Sequence, residues 1–471
     1  MEEPSLPSEP NDRLRAGRTL LRSITSGAKL LTEGLIVRNA ASLYGSTVVT
    51  SLLGFFYWFV AAKSVPAREV GIASAIQSAA LFLSFFCVLG LSTLLISELS
   101  TDKTHARSLI LTAVTLAGVF ALIFSAAVGL ALGDLSASLR AGLVIPIGLL
   151  VFTLMSTINT LVLITDDSCI GLLRATLQFR RNTIFAVSKL AVLPLLIYAW
   201  KDSSGIEIVV AWLLGLAISL TTTIFSLGRL TKGESFRLDF RRLFDQRRLM
   251  FGHHSLNISI ESPRLLIPVV VATVVGSRAN AAYTAAMLVV AFVNVIPVHL
   301  STVLFALTPG DEVTLEREVR KTMWLCLILA MASAPFFLVT SHFILGVFGP
   351  KYQAASTALT ILGFTTYPLA IKAHYVAINR SRGRMQRAAS RSMIGACLEV
   401  GLAILGAWLH GLTGVAAGYL IAVIAEAFLF SPVVFGVLRT RRGSHASPLR
   451  RVASRERRKE RREIAGRRST D

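Results

Sequence analysis

AKSVPAREVGIASA at 62–75 and ATVVGSRANAAYTAA at 272–286 are the two stretches whose reading decides the architecture of this chain. Each leaves one apolar run, turns within a few residues and enters another. Each carries an arginine, Arg68 or Arg278, at equivalent points about 210 residues apart. The runs that follow also end alike, with GLSTLLISELS from Gly90 and HLSTVLFALTP from His299 sharing Leu-Ser-Thr at Leu91 and Leu300. Apolar segments draw on few residue types, so the tripeptide alone is weak; its place at the common offset makes it part of an internal repeat.

Outward from the repeat, the chain reads as a membrane protein. Of its 471 residues 53% are apolar and 16% charged, against about 25% charged in soluble domains. A helix needs about 17 to 25 apolar residues to cross roughly 30 Å of hydrocarbon. About twelve such runs begin near Ala40, Ile72, Leu109, Leu143, Asn182, Ile206, His253, Ala281, Met323, Ala354, Ser392 and Thr413. The expected fold is therefore an all-α polytopic membrane protein with two pseudo-symmetric six-helix lobes. An even number of spans per half gives both lobes the same orientation, related by an axis along the membrane normal. The lobes take 39–230 and 253–438, with a basic linker at 231–252. Ahead lies an arm, 1–38, in which Leu14, Leu21, Ile24, Ala28, Leu31 and Leu35 are spaced as on an amphipathic surface helix. Behind lies a basic tail, 439–471, too polar to bury a core.

The formal net charge of +21 raises nucleic acid as a partner, but its distribution points to a membrane instead. With both termini on one side, that side holds 39 of the 48 Lys and Arg, the other holds six, and three lie within spans. This positive-inside bias places both termini in the cytoplasm and gives the tail anionic headgroups to meet. Cys87, Cys169, Cys326 and Cys397 are too scattered for a metal or redox motif, and His253 and His254 lack a third ligand at useful spacing. With no phosphate loop, zinc-protease pair or nucleophile turn, and only short connections on the less basic side, an enzyme is not expected. A twelve-span chain of this kind moves something, driven by an ion gradient or the cargo's own gradient, with no resident cofactor.

Ionisable groups at bilayer depth cost at least about 2.5 to 3.5 kcal/mol on insertion scales and mark function. In NISIESPRLLIP, 257–268, Glu261 and Arg264 stand i and i+3 on one helix face. They lie about 12 to 17 Å into span seven, with Pro263 loosening the turn between them. Glu399 and Glu426 fall near the midplane of spans eleven and twelve, Lys372 and His374 in the cytoplasmic half of span ten, and Lys189 in span five. Arg38 and Asn39 stand at the mouth of span one. One reading makes these groups internal pairs and packed protonated carboxyls that fix helices. The other, favoured by their recurrence at similar depth in the second lobe, makes them cavity-lining, with Glu261, Glu399 and Glu426 coupling transport to Na+ or H+. For Lys372 and Arg38, snorkelling to the interface competes. Embedded charge is expected mostly in the second lobe. FFYWF at 55–59 reads as an interfacial aromatic belt, with stacking on a sugar ring as the alternative.

RNAASLYGSTVVTSLLGFFYWFVAAKSVPAREVGIASA from Arg38, VVVATVVGSRANAAYTAAMLVVAFVNVIPVHLSTVLFA from Val269 and LGVFGPKYQAASTALTILG from Leu345 follow one another in an order and spacing that resemble the polysaccharide-biosynthesis membrane proteins. These are the Wzx-like oligosaccharide flippases of the multidrug/oligosaccharidyl-lipid/polysaccharide exporter superfamily, and the likeness covers about residues 36–438. The resemblance implies a V-shaped pair of lobes alternating between inward-open and outward-open forms in a bacterial plasma membrane. It implies a polyprenyl-pyrophosphate-linked oligosaccharide as cargo, turned to the outer leaflet for cell-surface polysaccharide, with a polymerase or assembly proteins as further partners. Arg264, Lys372, Arg38 and Lys189 would then meet the pyrophosphate, with Asn39 and Asn294 as further substrate contacts. A cation-coupled multidrug or metabolite antiporter of the same superfamily is the second reading, and a scaffold of an envelope-assembly complex, recruiting partners through the tail, is the third.

Overall fold

The computed structural model describes residues 45 and 47–439, apart from 102–103, 144–145, 201–203, 233–236, 246 and 308–311. The amphipathic stretch of the arm, Arg38, Asn39 and the tail from 440 lie outside the described residues.

Within a bilayer every backbone polar group must be paired inside the protein, and the described elements are all helical. The first half runs α1 (Thr47–Ser64), α2 (Ala67–Cys87), α3 (Leu91–Thr101), α4 (Ala106–Leu135), a short α5 (Ala137–Gly142), α6 (Ile147–Gly171), α7 (Ala175–Ala199) and α8 (Ile206–Leu230). The linker holds α9 (Phe240–Asp245). The second half runs α10 (Arg247–Val270), closed by a π turn at Val271–Val275, then α11 (Ser277–Leu307), α12 (Glu312–Phe348) and a 3-10 turn at Pro350–Ala355. It ends with α13 (Ser356–Gly363), α14 (Thr366–Ser381) and α15 (Met385–Arg439). Ten of these helices are long and apolar enough to cross a membrane, and α13 with α14, bent by 52°, adds an eleventh crossing.

The twelfth is hidden in α15. Its backbone leaves the helical region at His410 and Gly411, and the two limbs fold onto each other. A Cβ at Gly406 would stand 2.0 Å from the carbonyl oxygen of Gly414, and one at Gly418 2.1 Å from that of Leu402. Only glycine permits helices to approach so closely.

The repeat continues well beyond the stretches that revealed it. Leu173 and Gly383, 210 residues apart, both adopt positive φ, 58° and 67°. Each sits in a helix-ending turn with the same bonds: Arg174 N–H to Cys169 O at 2.7 Å and Arg384 N–H to Asn379 O at 2.8 Å. At the lobe interface Thr284 Oγ1 donates to Ser74 Oγ at 3.1 Å across a separation of 210 residues, so equivalent side chains touch and the pseudo-twofold axis runs between them. Asn280 Nδ2 flanks this contact, donating to Gly71 O and Ser74 Oγ, both at 2.8 Å. A side chain at Gly71 would meet the Ser277 carbonyl at 1.7 Å.

The apolar core has the shape of a V. Toward the end of the bundle opposite the Arg-rich connections, one cluster joins both halves, running from Tyr57, Ile76 and Phe152 through Val271 and Ala281 to Phe348 and Val415. Toward the Arg-rich end it divides: Leu95, Leu109 and Ile164 pack in the first half, Leu256, Val319, Tyr375 and Phe430 in the second. The two arms still touch at this end, where a Cβ at Gly90 would lie 2.5 Å from the Met250 carbonyl oxygen and the Phe86 and His254 rings stand 6.3 Å apart. The linker is fastened to the first half, where Leu243 is buried, Asp239 N–H donates to Thr112 Oγ1 at 2.9 Å and Ser108 Oγ bonds the Arg237 carbonyl.

FFYWF is not an interfacial belt. Tyr57 and Trp58 are buried in the first half. Phe55 packs edge-on against Phe292 and Phe348, with centroids at 5.7 and 5.4 Å, and Phe59 against Phe348 at 5.8 Å. As a helix between the lobes, α1 turns these rings inward to seal the closed end of the V. Nor is embedded charge confined mostly to the second half. Asp166, Arg181 and Glu207 are all buried in the first, near span ends where hydropathy merges them with the connections.

Candidate functional site

Three helix segments of the second half bring Lys372, Glu399 and Glu426 together. Lys372 rides on α14, which the bend after α13 directs into the bundle, while the two carboxylates face inward from opposite limbs of α15. The Lys372 ammonium pairs with Glu399 Oε1 and with both oxygens of Glu426, at 3.2 and 2.9 Å. Their side chains are 9%, 2% and 2% exposed. A Cβ at Gly395 would land 1.3 Å from Glu426 Oε1, so the missing side chain there makes room for the carboxylate. Lys372, expected to meet substrate, is instead held by two acids. Two carboxylates against one ammonium leave one negative charge at this depth, which calls for a proton or a monovalent cation.

Glu261 and Arg264 form the i, i+3 pair their spacing suggested, with Glu261 Oε2 accepting from Arg264 Nε at 3.0 Å and from a terminal guanidinium nitrogen at 2.5 Å. The Arg264 side chain is 59% exposed. Tyr283 and Tyr419 are buried in the same half as the triad. Neither tyrosine nor Gly395 was legible as a site residue, since tyrosine and glycine are ordinary in spans. His374 is occupied locally, between Thr322 Oγ1 and the Ala370 carbonyl, both at 2.7 Å. Asn294, on α11, has a buried Oδ1 without a partner among the described residues.

The first half holds the remaining embedded lysine in a different setting. Lys189 is 3% exposed, and its ammonium lies over the rings of Trp212, Phe185 and Tyr57 at 3.6, 4.5 and 5.0 Å. The close approach is set by Gly215 of α8, where a Cβ would meet Lys189 Cβ at 3.0 Å. Asp166 and Arg181 are a buried pair, joined by Nε–Oδ1 at 2.9 Å and a second short contact, and Arg181 also donates to Asn182 Oδ1. A cavity of about 300 Å³ is lined mainly by apolar residues, among them Ile72, Trp200 and Ile206.

No family model and no curated protein sequence matches the chain. Solved structures do. An inward-facing conformation of a multidrug resistance MATE family transporter of the MOP superfamily superimposes with TM-score 0.66 at 14% identity, covering 83% of this chain and 96% of the other. A MOP superfamily transporter from Pyrococcus furiosus, described as having a binding pocket of reverse polarity, gives 0.60 at 13%, covering 86% and 96%. An outward-facing MATE family transporter gives 0.55 at 14%, covering 86% and 96%. At such identities the likeness is one of fold: this chain has the all-helical, two-lobed architecture of the MATE transporters of the MOP superfamily.

Proposed function

We propose that this protein is an alternating-access transporter of a bacterial plasma membrane, with both termini cytoplasmic. We propose further that its cargo is a polyprenyl-pyrophosphate-linked oligosaccharide, turned from the cytoplasmic to the outer leaflet for cell-surface polysaccharide. The observation that carries this reading is Arg264, a guanidinium within a membrane-spanning helix that stays 59% exposed while bonded to Glu261. Arginine suits bidentate contact with phosphate, and Glu261 orients it from the same helix face. The triad of Lys372, Glu399 and Glu426 supplies the coupling element, its excess carboxylate taking Na+ or H+.

That same excess carboxylate favours the second reading, a cation-coupled multidrug or metabolite antiporter. Proteoliposomes loaded with fluorescent lipid-linked oligosaccharide and probed with a membrane-impermeant quencher separate the two. Flipping that falls at least about tenfold in Arg264→Ala protein, inserted at normal levels, supports the first. Absence of flipping together with cation-driven drug uptake would establish the second.

A further inference from the structure

The two halves hold the same register in two different shapes. In the first, α2 ends at Cys87 and α3 starts only at Leu91. Leu89 and Gly90 between them are both left-handed, with φ of 53° and 77°. The repeat offset of 210 carries these two residues to His299 and Leu300, which lie inside the unbroken α11. Pro297, the mate of Cys87, stands just ahead of them, so α11 also has a weak point at this level. One half shows the segment bent and the other shows it straight.

Glycine adopts a left-handed backbone freely, whereas in leucine the Cβ crowds the following carbonyl. Leu173 is the other non-glycine residue of positive φ among the described residues, and its mate Gly383 bends the same way. At Leu89 the mate is helical, so the strain belongs to one half alone and is held there by contacts of its own. They lie on α10 of the other half. A Cβ at Gly90 would also stand 3.1 Å from His254 Cβ, and Leu89 packs with Met250 against the apolar cluster of the first half. Beyond the bend, α3 is fastened to its own half: Leu91, Leu95 and Leu99 are fully buried, and a Cβ at Gly171 of α6 would lie 2.8 Å from the Leu95 carbonyl oxygen. Straightening the segment therefore tilts α2 rather than α3 and withdraws Phe86 and Gly90 from α10.

We propose that the elbow at Leu89 and Gly90 is the latch of the Arg-rich end. Bent, it docks on the first turns of α10 and ties the lobes together; straight, as its mate is in α11, it lets them part. This rests on the transport reading above and assigns the inner gate of that cycle to one half of the repeat.

The test uses full-length protein in nanodiscs, with the exposed Cys397 replaced and spin labels on Ser100→Cys and Ser390→Cys, exposed positions of the two halves near the Arg-rich end. Gly90→Ala drives a Cβ into the Met250 carbonyl, so label distances lengthen and the ratio of parted to docked molecules rises at least about tenfold. Adding Leu89→Gly to that variant relieves the left-handed leucine and lowers the ratio again by about tenfold. Leu89→Gly alone adds no atom that could clash, so it folds as the wild type does; by holding the latch shut it slows flipping of lipid-linked oligosaccharide. Distances unchanged by Gly90→Ala, or unchanged when Leu89→Gly is added, would overturn this inference, as would wild-type flipping in Leu89→Gly protein; flipping by the wild type would still leave the transport reading standing. Wild-type protein that shows a single docked distance and flips no cargo would overturn both.

Discussion

Lys372→Met removes the one cation shared by two buried acids. Glu399 and Glu426 each keep only 2% of their side-chain surface exposed, so neither can recover hydration by turning outward. The lost contacts are the bond to Glu399 Oε1 and the 3.2 and 2.9 Å approaches to the two oxygens of Glu426. Breaking a buried pair by deleting one partner costs about 3 to 5 kcal/mol, whereas replacing the complete ion set with neutral groups is often close to neutral. Unfolding by sodium dodecyl sulfate in mixed micelles at pH 7.5, followed by tryptophan fluorescence, should therefore show Lys372→Met destabilised by about 3 to 5 kcal/mol. Adding Glu399→Gln and Glu426→Gln to that variant should restore most of the loss. A single-variant effect below about 1 kcal/mol, the scale of an exposed pair, would refute the reasoning. So would a triple variant less stable than the single one, because it would mean the acids stabilise the fold without their lysine.

Two further outcomes follow from the closed end of the V. After replacement of the exposed Cys397, a Ser74→Cys, Thr284→Cys protein should cross-link under mild oxidation, because the two hydroxyls already touch at 3.1 Å. Transport should stop when the bridge forms and return on reduction; unimpaired transport in fully cross-linked protein would show that this end need not open. Phe348→Ala deletes two inter-lobe ring contacts, to Phe55 and Phe59, worth roughly 2 kcal/mol together. Spin labels across that end should report an outward-open population raised about thirtyfold, and an unchanged distance distribution would count against the aromatic seal.

Much of the fold could be read from run length and repetition alone, because spanning a bilayer leaves a helix few alternatives. AKSVPAREVGIASA and ATVVGSRANAAYTAA predicted an offset that the paired turns at Leu173 and Gly383 and the Ser74–Thr284 contact express in three dimensions. Individual boundaries were less legible. α12 begins at Glu312, well before the apolar run near Met323, since ion pairs such as Arg320 to Glu316 at 2.8 Å carry the helix past the hydrocarbon. The ionisable residues were visible as anomalies, yet their partners were not. Glu261 and Arg264 could be paired by helix spacing, but Lys372 meets Glu399 and Glu426 from three segments, and only the packing of α14 onto the α15 hairpin decides that. The box around Lys189 draws on α1, α7 and α8, and its rings look in sequence like any aromatic residues of a span.

The interface at Ser74 and Thr284 is isologous: the same surface appears on both sides of a twofold axis, as in a homodimer. The difference is that both surfaces belong to one polypeptide. In an assembly of two identical chains, positions 189 and 399 would be a single codon, and a lysine at one would be a lysine at both. Covalent fusion removes that constraint, so one lobe can carry a caged base at the place where the other carries an acid. The shared backbone keeps the lobes geometrically alike, while tandem duplication leaves their interiors free to specialise in opposite charge.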